Sequence, residues 1–183
     1  MAMLEDKLLI WRLKRGHEPA MVRVYTKYKN LLLKLACGLV RDTGAAEDLV
    51  QDVFVSLAES VDRLRWNGSL KGYLIQSVIN RTRNFHRAKS LRQSRDAGTL
   101  ERAAPEEVGP DRWVLHHEQL QHLHQALEQL PLEQREVVTL HLRAELTFRE
   151  IARLQDASIN TVQSRYRYGI EKLRTLMNSE LEP

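Results

Sequence analysis

Asn160, Thr161, Gln163, Ser164 and Arg167 share one side of a helix if Val162, Tyr166, Ile170 and Leu173 form its inward stripe. Gln and Arg side chains carry paired donors or acceptors that fit the edges of adenine and guanine in a major groove. Thr161, Ser164 and Arg165 suit phosphate oxygens, and a helix N-terminus adds free amides and a positive dipole end. Upstream, Thr147-Phe148-Arg149-Glu150 has the capping-box spacing, opening a short helix with Ile151, Ala152 and Leu154. The turn Gln155-Asp156-Ala157 and a capping Ser158 then lead into the second helix. Short helix, tight turn and capped second helix make a helix-turn-helix. A helical hairpin with a purely structural role shares that outline.

A second group lies in residues 71–92, where Lys71, Arg81, Arg83, Arg87, Lys89 and Arg92 occur without an acid. The chain's net charge of +4 is uneven. Residues 1–92 hold 17 basic and 9 acidic side chains, residues 93–117 hold 3 and 5, and residues 118–183 hold 8 and 10. Residues 159–174 hold Arg165, Arg167, Lys172 and Arg174 against Glu171 alone, and two local cationic patches in a mixed chain point to two contacts with a polyanion, nucleic acid before others. A third group is acidic: Asp48 and Asp52 are i,i+4 neighbours with Gln51 beside them, so one helix face offers acceptors to a basic partner. A solvated surface is the plain alternative for each.

These groups need helices to carry them. With 183 residues, 43% hydrophobic, 28% charged, 8 glycines and 5 prolines, the chain is too apolar for wholesale disorder. It is also too poor in turn residues for a sandwich or barrel. A first short helix is expected from Leu4, Leu8 and Trp11, with Trp11 and Cys37 as core packing. A second carries Met21, Tyr25, Tyr28, Leu32, Leu35 and Leu39, with Pro19 in its first turn. Asp42 and Thr43 can cap a third, whose apolar positions are Leu49, Val50, Val53, Phe54, Leu57, Val61 and Leu64. Arg65–Ser69 reads as a loop, with Ser69 capping a fourth helix that turns Leu70, Leu74, Val78 and Phe85 inward. Residues 93–111 lose the period, carry Gly98, Pro105, Gly109 and Pro110, and form a linker that could span roughly 60 Å. Beyond it, Leu120, Leu123, Leu127 and Leu130 make one stripe. Pro131 starts a helix with Val137, Val138 and Leu142 as its apolar positions.

The expected fold is all-α: a four-helix domain over 1–92, a flexible linker over 93–111 and a helix-turn-helix domain over 112–183. Cys37 is the one cysteine, so no internal disulfide forms and a reducing, cytoplasmic setting follows. Met1 to Arg15 carries Glu5, Asp6 and Lys7 where a secretory signal needs an apolar run, and no stretch approaches the roughly 18 apolar residues of a membrane span. His116, His117, His122 and His124 crowd one segment, yet no pair is spaced i,i+4 and no cysteine assists. They read as a solvated helix, and neither metal nor other cofactor is expected.

Leu130 to Val138, Leu146 to Ala152 and Asn160 to Arg165 resemble region 4 of bacterial sigma factors, specifically the extracytoplasmic-function group. Ala46-Glu47-Asp48-Leu49-Val50-Gln51-Asp52-Val53-Phe54 resembles their region 2. Both blocks stand in the family's order with no region-3 domain between them. The resemblance implies a transcription initiation subunit that directs core RNA polymerase to promoters, with an anti-sigma factor as a further partner. It assigns Asp48, Gln51, Asp52 and Phe54 to the clamp coiled coil of the polymerase, and the second domain to the flap as well as the minus-thirty-five element. For the minus-ten element it implies Asn80 near a captured base, with Arg81, Arg83, Asn84 and Arg87 along the phosphates. Trp66 would stack or wedge there, or fold onto the core; Tyr73 is core. Asn160, Thr161, Gln163, Ser164, Arg165 and Arg167 would meet the minus-thirty-five element. Tyr168 joins them because Arg167-Tyr168-Gly169 replaces a more basic stretch of many members. Asp156 stands where many relatives have Gly.

Two other function classes make different demands on the residues. A polymerase-independent helix-turn-helix regulator would bind duplex promoter DNA by itself. An enzyme acting on nucleic acid lacks a Gly-rich phosphate loop, a nucleophile motif and a carboxylate cluster with a matching base.

Overall fold

The computed structural model describes residues 2–40, 42–63, 69–95 and 122–179. Eight helices occur among them: α1 (Ala2–Leu13), α2 (Glu18–Leu39), α3 (Thr43–Ser60), α4 (Leu70–Arg95), α5 (122–128), α6 (Leu132–Ala144), α7 (Phe148–Gln155) and α8 (Ile159–Ser179). Leu64, Trp66, residues 96–111, His116, His117 and Leu120 lie outside the described residues. None of the described helices is long and apolar enough to cross a membrane.

Local chemistry sets the helix starts. Pro19 occupies the first turn of α2, where a missing N–H costs nothing. The Asp42 carboxylate accepts from the Ala45 N–H at 3.2 Å, and the Ser69 hydroxyl accepts from Gly72 at 2.9 Å. Inward faces then assemble the first core: Leu32, Leu35, Leu57, Leu74, Ile75, Val78 and Ile79 are fully buried. The α4 helix continues through Arg95, three residues into the expected linker.

The α1 helix turns the other way from expectation. Leu9, Ile10 and Leu13 are buried, whereas Leu4, Leu8 and Trp11 are exposed, with the Arg15 guanidinium 3.7 Å from the Trp11 ring centre. The reason lies 22 residues away: Asp6 points inward because the Tyr28 hydroxyl donates to its carboxylate at 2.7 Å and Lys27 donates at 2.8 Å. A buried carboxylate so satisfied decides the face against leucines that could have filled it. Burial, then the bond to Asp6, pushes the Tyr28 phenol well above its usual range. In α2, Val24 is buried and Tyr25 is 40% exposed, and in α6 Leu140 is buried while Leu142 is 58% exposed. Cys37 is half-buried and packs on the core.

The two helical sets share a core rather than standing apart. Val137, Leu140, Ala144, Ile151 and Val162 belong to the same cluster as α1–α4, because α6 lies along α2. At Gly38 an added Cβ would lie 2.6 Å from the Thr139 methyl, so only glycine admits this approach. A smaller cluster of Ala126, Leu127, Leu130, Val138 and Leu173 ties α5 and α6 to α8. There Gly169 permits close packing, since a Cβ would come within 2.9 Å of Val138.

Candidate nucleic-acid and polymerase interface

The α7–α8 hairpin is built by its caps. Thr147 accepts from the Glu150 N–H at 3.3 Å, and the Glu150 carboxylate accepts from the Thr147 N–H at 2.8 Å. These backbone and side-chain bonds to Thr147 hold the Glu150 carboxyl below its ordinary 4.5. A depressed folded value means that this stabilisation is present above the ordinary carboxylate range and is lost on acidification below it. Faster exchange of the first-turn α7 amides as pH falls below about 4.5, relative to intrinsic rates, is the expected reading. Thr147→Ala should lower stability by about 1 kcal/mol, read as a fall in melting midpoint.

Asp156 ends α7 in the left-handed region, at φ 50°, and its N–H reaches the Ala152 carbonyl. Asp tolerates that conformation at modest cost, so the turn closes without glycine. Ser158 then caps α8 by accepting from the Thr161 N–H at 3.0 Å. Behind the hairpin, His141 stacks on Phe148 at 4.6 Å and meets Tyr166 edge-on at 4.9 Å, locking α6, α7 and α8 together. Glu145 takes a second left-handed position, φ 56°, at the end of α6.

With Val162 and Leu173 buried, Asn160, Thr161, Gln163, Arg167 and Tyr168 are exposed and Ser164 and Arg165 are half-buried. Arg167 donates to the Tyr168 hydroxyl at 3.3 Å, so the two reach outward together. Arg165 instead donates to Gln155 at 2.8 Å, and Gln155 donates to Glu136 at 2.9 Å.

On α3, Asp48, Gln51 and Asp52 are exposed on one face. Phe54 does not stand with them: it is 4% exposed, with the Tyr25 ring over it at 4.9 Å. A ring inside the core positions the helix and is closed to a partner surface. Of the α4 residues, Asn80, Asn84 and Arg87 are exposed. Arg81 is not free; it donates to the Asp52 carbonyl at 3.0 Å, to the Ser56 hydroxyl and to the Asp52 carboxylate at 3.4 Å. The acidic and basic groups therefore touch. Arg83 donates to both oxygens of Glu136, at 2.7 and 2.6 Å. Glu136, Gln155 and Ser56 escape sequence reasoning because only their distant partners distinguish them. Tyr73 is half-buried against the core. His122 is exposed, while His124 is half-buried with its pKa lowered, first by burial and then by the Arg143 charge.

The arrangement sets an exposed acidic face on α3 and a basic α4 beside a capped helical hairpin, and the chain is similar to known proteins. Residues 24–92 match Sigma-70 region 2, and residues 120–173 match Sigma-70, region 4. The RNA polymerase sigma-H factor of Pseudomonas aeruginosa is 27% identical over 187 residues, covering 98% of this chain and 95% of that one. The ECF RNA polymerase sigma-E factor of Escherichia coli is 26% identical over 188 residues, covering 98% and 96%. In solved structures, CnrH in complex with the cytosolic domain of CnrY superposes with a TM-score of 0.72 at 20% identity, covering 96% and 98%. RpoE of Bartonella quintana, solved with the anti-sigma factor NepR, gives 0.67 at 23% identity, covering 85% and 97%. The chain thus belongs to the sigma-70 family, in its extracytoplasmic-function group, and is a non-enzymatic subunit that directs promoter-specific transcription initiation by RNA polymerase.

Proposed function

We propose that Asp48, Gln51 and Asp52 form the acceptor face that docks on core polymerase. In this reading Asn80, Asn84 and Arg87 engage the opened minus-ten strand, with Arg81 and Arg83 joining once their present partners release them. Opening a strand requires polar groups for an unstacked base and cations along the backbone, and Asn80, Asn84 and Arg87 are exposed along one face of α4. Trp66 remains assigned to that site by resemblance alone. Gln163, Arg167 and Tyr168 read the minus-thirty-five element, and Asn160, Thr161, Ser164 and Arg165 hold its phosphates. The domains run 1–92 and 112–183 with a linker over 93–111, and the work is cytoplasmic, where core polymerase acts. A partner of the class that holds the Bartonella relative, an anti-sigma factor, restrains the chain.

The observation that carries this reading is the exposure of Gln163 and Arg167 over the first turns of α8, behind a closed turn and a capped N-terminus. Retention of a promoter duplex tests it. The chain alone should hold the duplex weakly and the chain with core polymerase tightly. Equal retention with and without core would overturn it in favour of a polymerase-independent regulator.

A further inference from the structure

The α1 helix is apolar on two faces, and among the described residues only one of them is packed. Leu9, Ile10 and Leu13 are buried, while Leu4, Leu8 and Trp11, on the opposite side, stay 72%, 46% and 50% exposed. Leu4, Leu8, Trp11 and Arg15 follow one another at steps of four, three and four, with the Arg15 guanidinium 3.7 Å from the Trp11 ring centre. That spacing is the seam of a coiled coil, narrower than the broad apolar stripe by which a helix lies on a core or a lipid surface. The flanks of the seam are basic. Lys7 and Lys14, both exposed, border one side; Arg12 borders the other beside Glu5, which Lys27 already holds at 2.7 Å. Asp6 keeps the stripe outside. Bonded to Tyr28 and Lys27, it takes an inward position and so fixes the rotation of α1 about its axis.

We propose that the outer seam of α1 is a docking surface for an acidic amphipathic helix of another protein. The occupant carries apolar side chains at the matching four-and-three spacing, with Glu or Asp along both borders to meet Lys7, Lys14 and Arg12. Trp11 is the anchor, a large ring half out of water at the centre of a basic border. Its helix is held from behind by Leu9, Ile10 and Leu13, so little freedom is lost when the surface is covered. A second copy of this chain fits poorly. Antiparallel pairing of two α1 helices sets Lys7 beside Lys14 and Arg15 opposite Leu4, and parallel pairing sets Lys7 beside Arg12. An anionic lipid surface fits poorly too, because three apolar side chains in a narrow row bury little and Glu5 stands at their edge. The seam is separate from the acidic face of α3 assigned to core polymerase.

Two labelled three-heptad peptides, each with leucine at both seam positions, test this against the full chain by fluorescence anisotropy. One has glutamate on both flanks and the other lysine. The glutamate peptide should bind at least ~10-fold more tightly than the lysine peptide. Trp11→Gln and Leu8→Gln should each weaken its binding, Trp11→Gln by at least ~10-fold. Lys7→Glu combined with Lys14→Glu should reverse the preference between the two peptides. All four side chains are exposed, so the melting midpoint of each variant should hold and the fold is not in question. Recovery of Trp11→Gln with tagged core polymerase should match that of the parent. Equal binding of the two peptides, or binding that survives Trp11→Gln and the double reversal, would overturn the proposal. So would self-association in sedimentation, or co-sedimentation with phosphatidylserine vesicles, that Trp11→Gln abolishes, since the occupant would then be a second copy or a membrane. Loss of core recovery in Trp11→Gln would assign the seam to polymerase and overturn it as well.

Discussion

Asp48→Arg combined with Asp52→Arg should weaken association with core polymerase by about 100-fold or more, with the fold intact. Both carboxylates are exposed, one turn apart on a helix whose opposite side, Val50, Val53, Phe54 and Leu57, is locked in the core. The face is therefore presented rigidly, and binding spends little on ordering it. Reversal changes four units of charge and sets like charges against a basic partner, which costs several kcal/mol; ~2.7 kcal/mol already equals 100-fold. At position 52 it also places a cation beside Arg81, which now donates to that carboxylate and to its own backbone carbonyl. Surface changes of this kind alter stability by about 0.5 kcal/mol or less, so the melting midpoint should hardly move. Co-purification with tagged core polymerase reads the effect, and undiminished recovery of the double variant would remove Asp48 and Asp52 from the docking face.

Gln163→Ala and Arg167→Ala should each relax promoter discrimination by roughly 10- to 100-fold while leaving core association unchanged. A good bidentate contact to a base edge carries about 1–3 kcal/mol of discrimination. Both side chains are exposed one turn apart on α8, and Val162, buried beside Gln163, fixes their direction. Arg167→Ala also strips Tyr168 of its neighbour, so its effect should be the larger. Removing a phosphate contact such as Thr161 or Ser164 should instead weaken binding evenly across sequences. Transcript yields over a panel of minus-thirty-five variants separate the two patterns. A Gln163→Ala, Arg167→Ala chain that ranks the panel as the parent does would reject these residues as base readers.

The features most legible in the sequence were those governed by neighbours. Capping by Asp42, Ser69, Thr147 and Ser158 needs only side chains three residues from the amides they serve, and each accepts the predicted bond. Long amphipathic stretches were equally plain, since Val50, Val53 and Leu57 admit one inward face. Short or doubly apolar helices were not. In α1, Leu4, Leu8 and Trp11 compete with Leu9, Ile10 and Leu13, and a polar residue, Asp6, settles the matter through Tyr28. Leu140 and Leu142 pose the same problem in α6, decided by its contact with α2. Within the site, exposure of Gln163 and Arg167 followed from period alone. The engagement of Arg81 with α3 and of Arg83 with Glu136 could not, because partners 29 and 53 residues away carry no local signature.

The central claim is that this chain confers start-site choice on a polymerase that lacks it. Run-off transcription with purified core polymerase and genomic fragments, with start sites mapped in the presence and absence of the chain, tests it most directly. Discrete starts that share two upstream elements and depend on the chain are predicted. The same starts at the same rates without it would contradict the account.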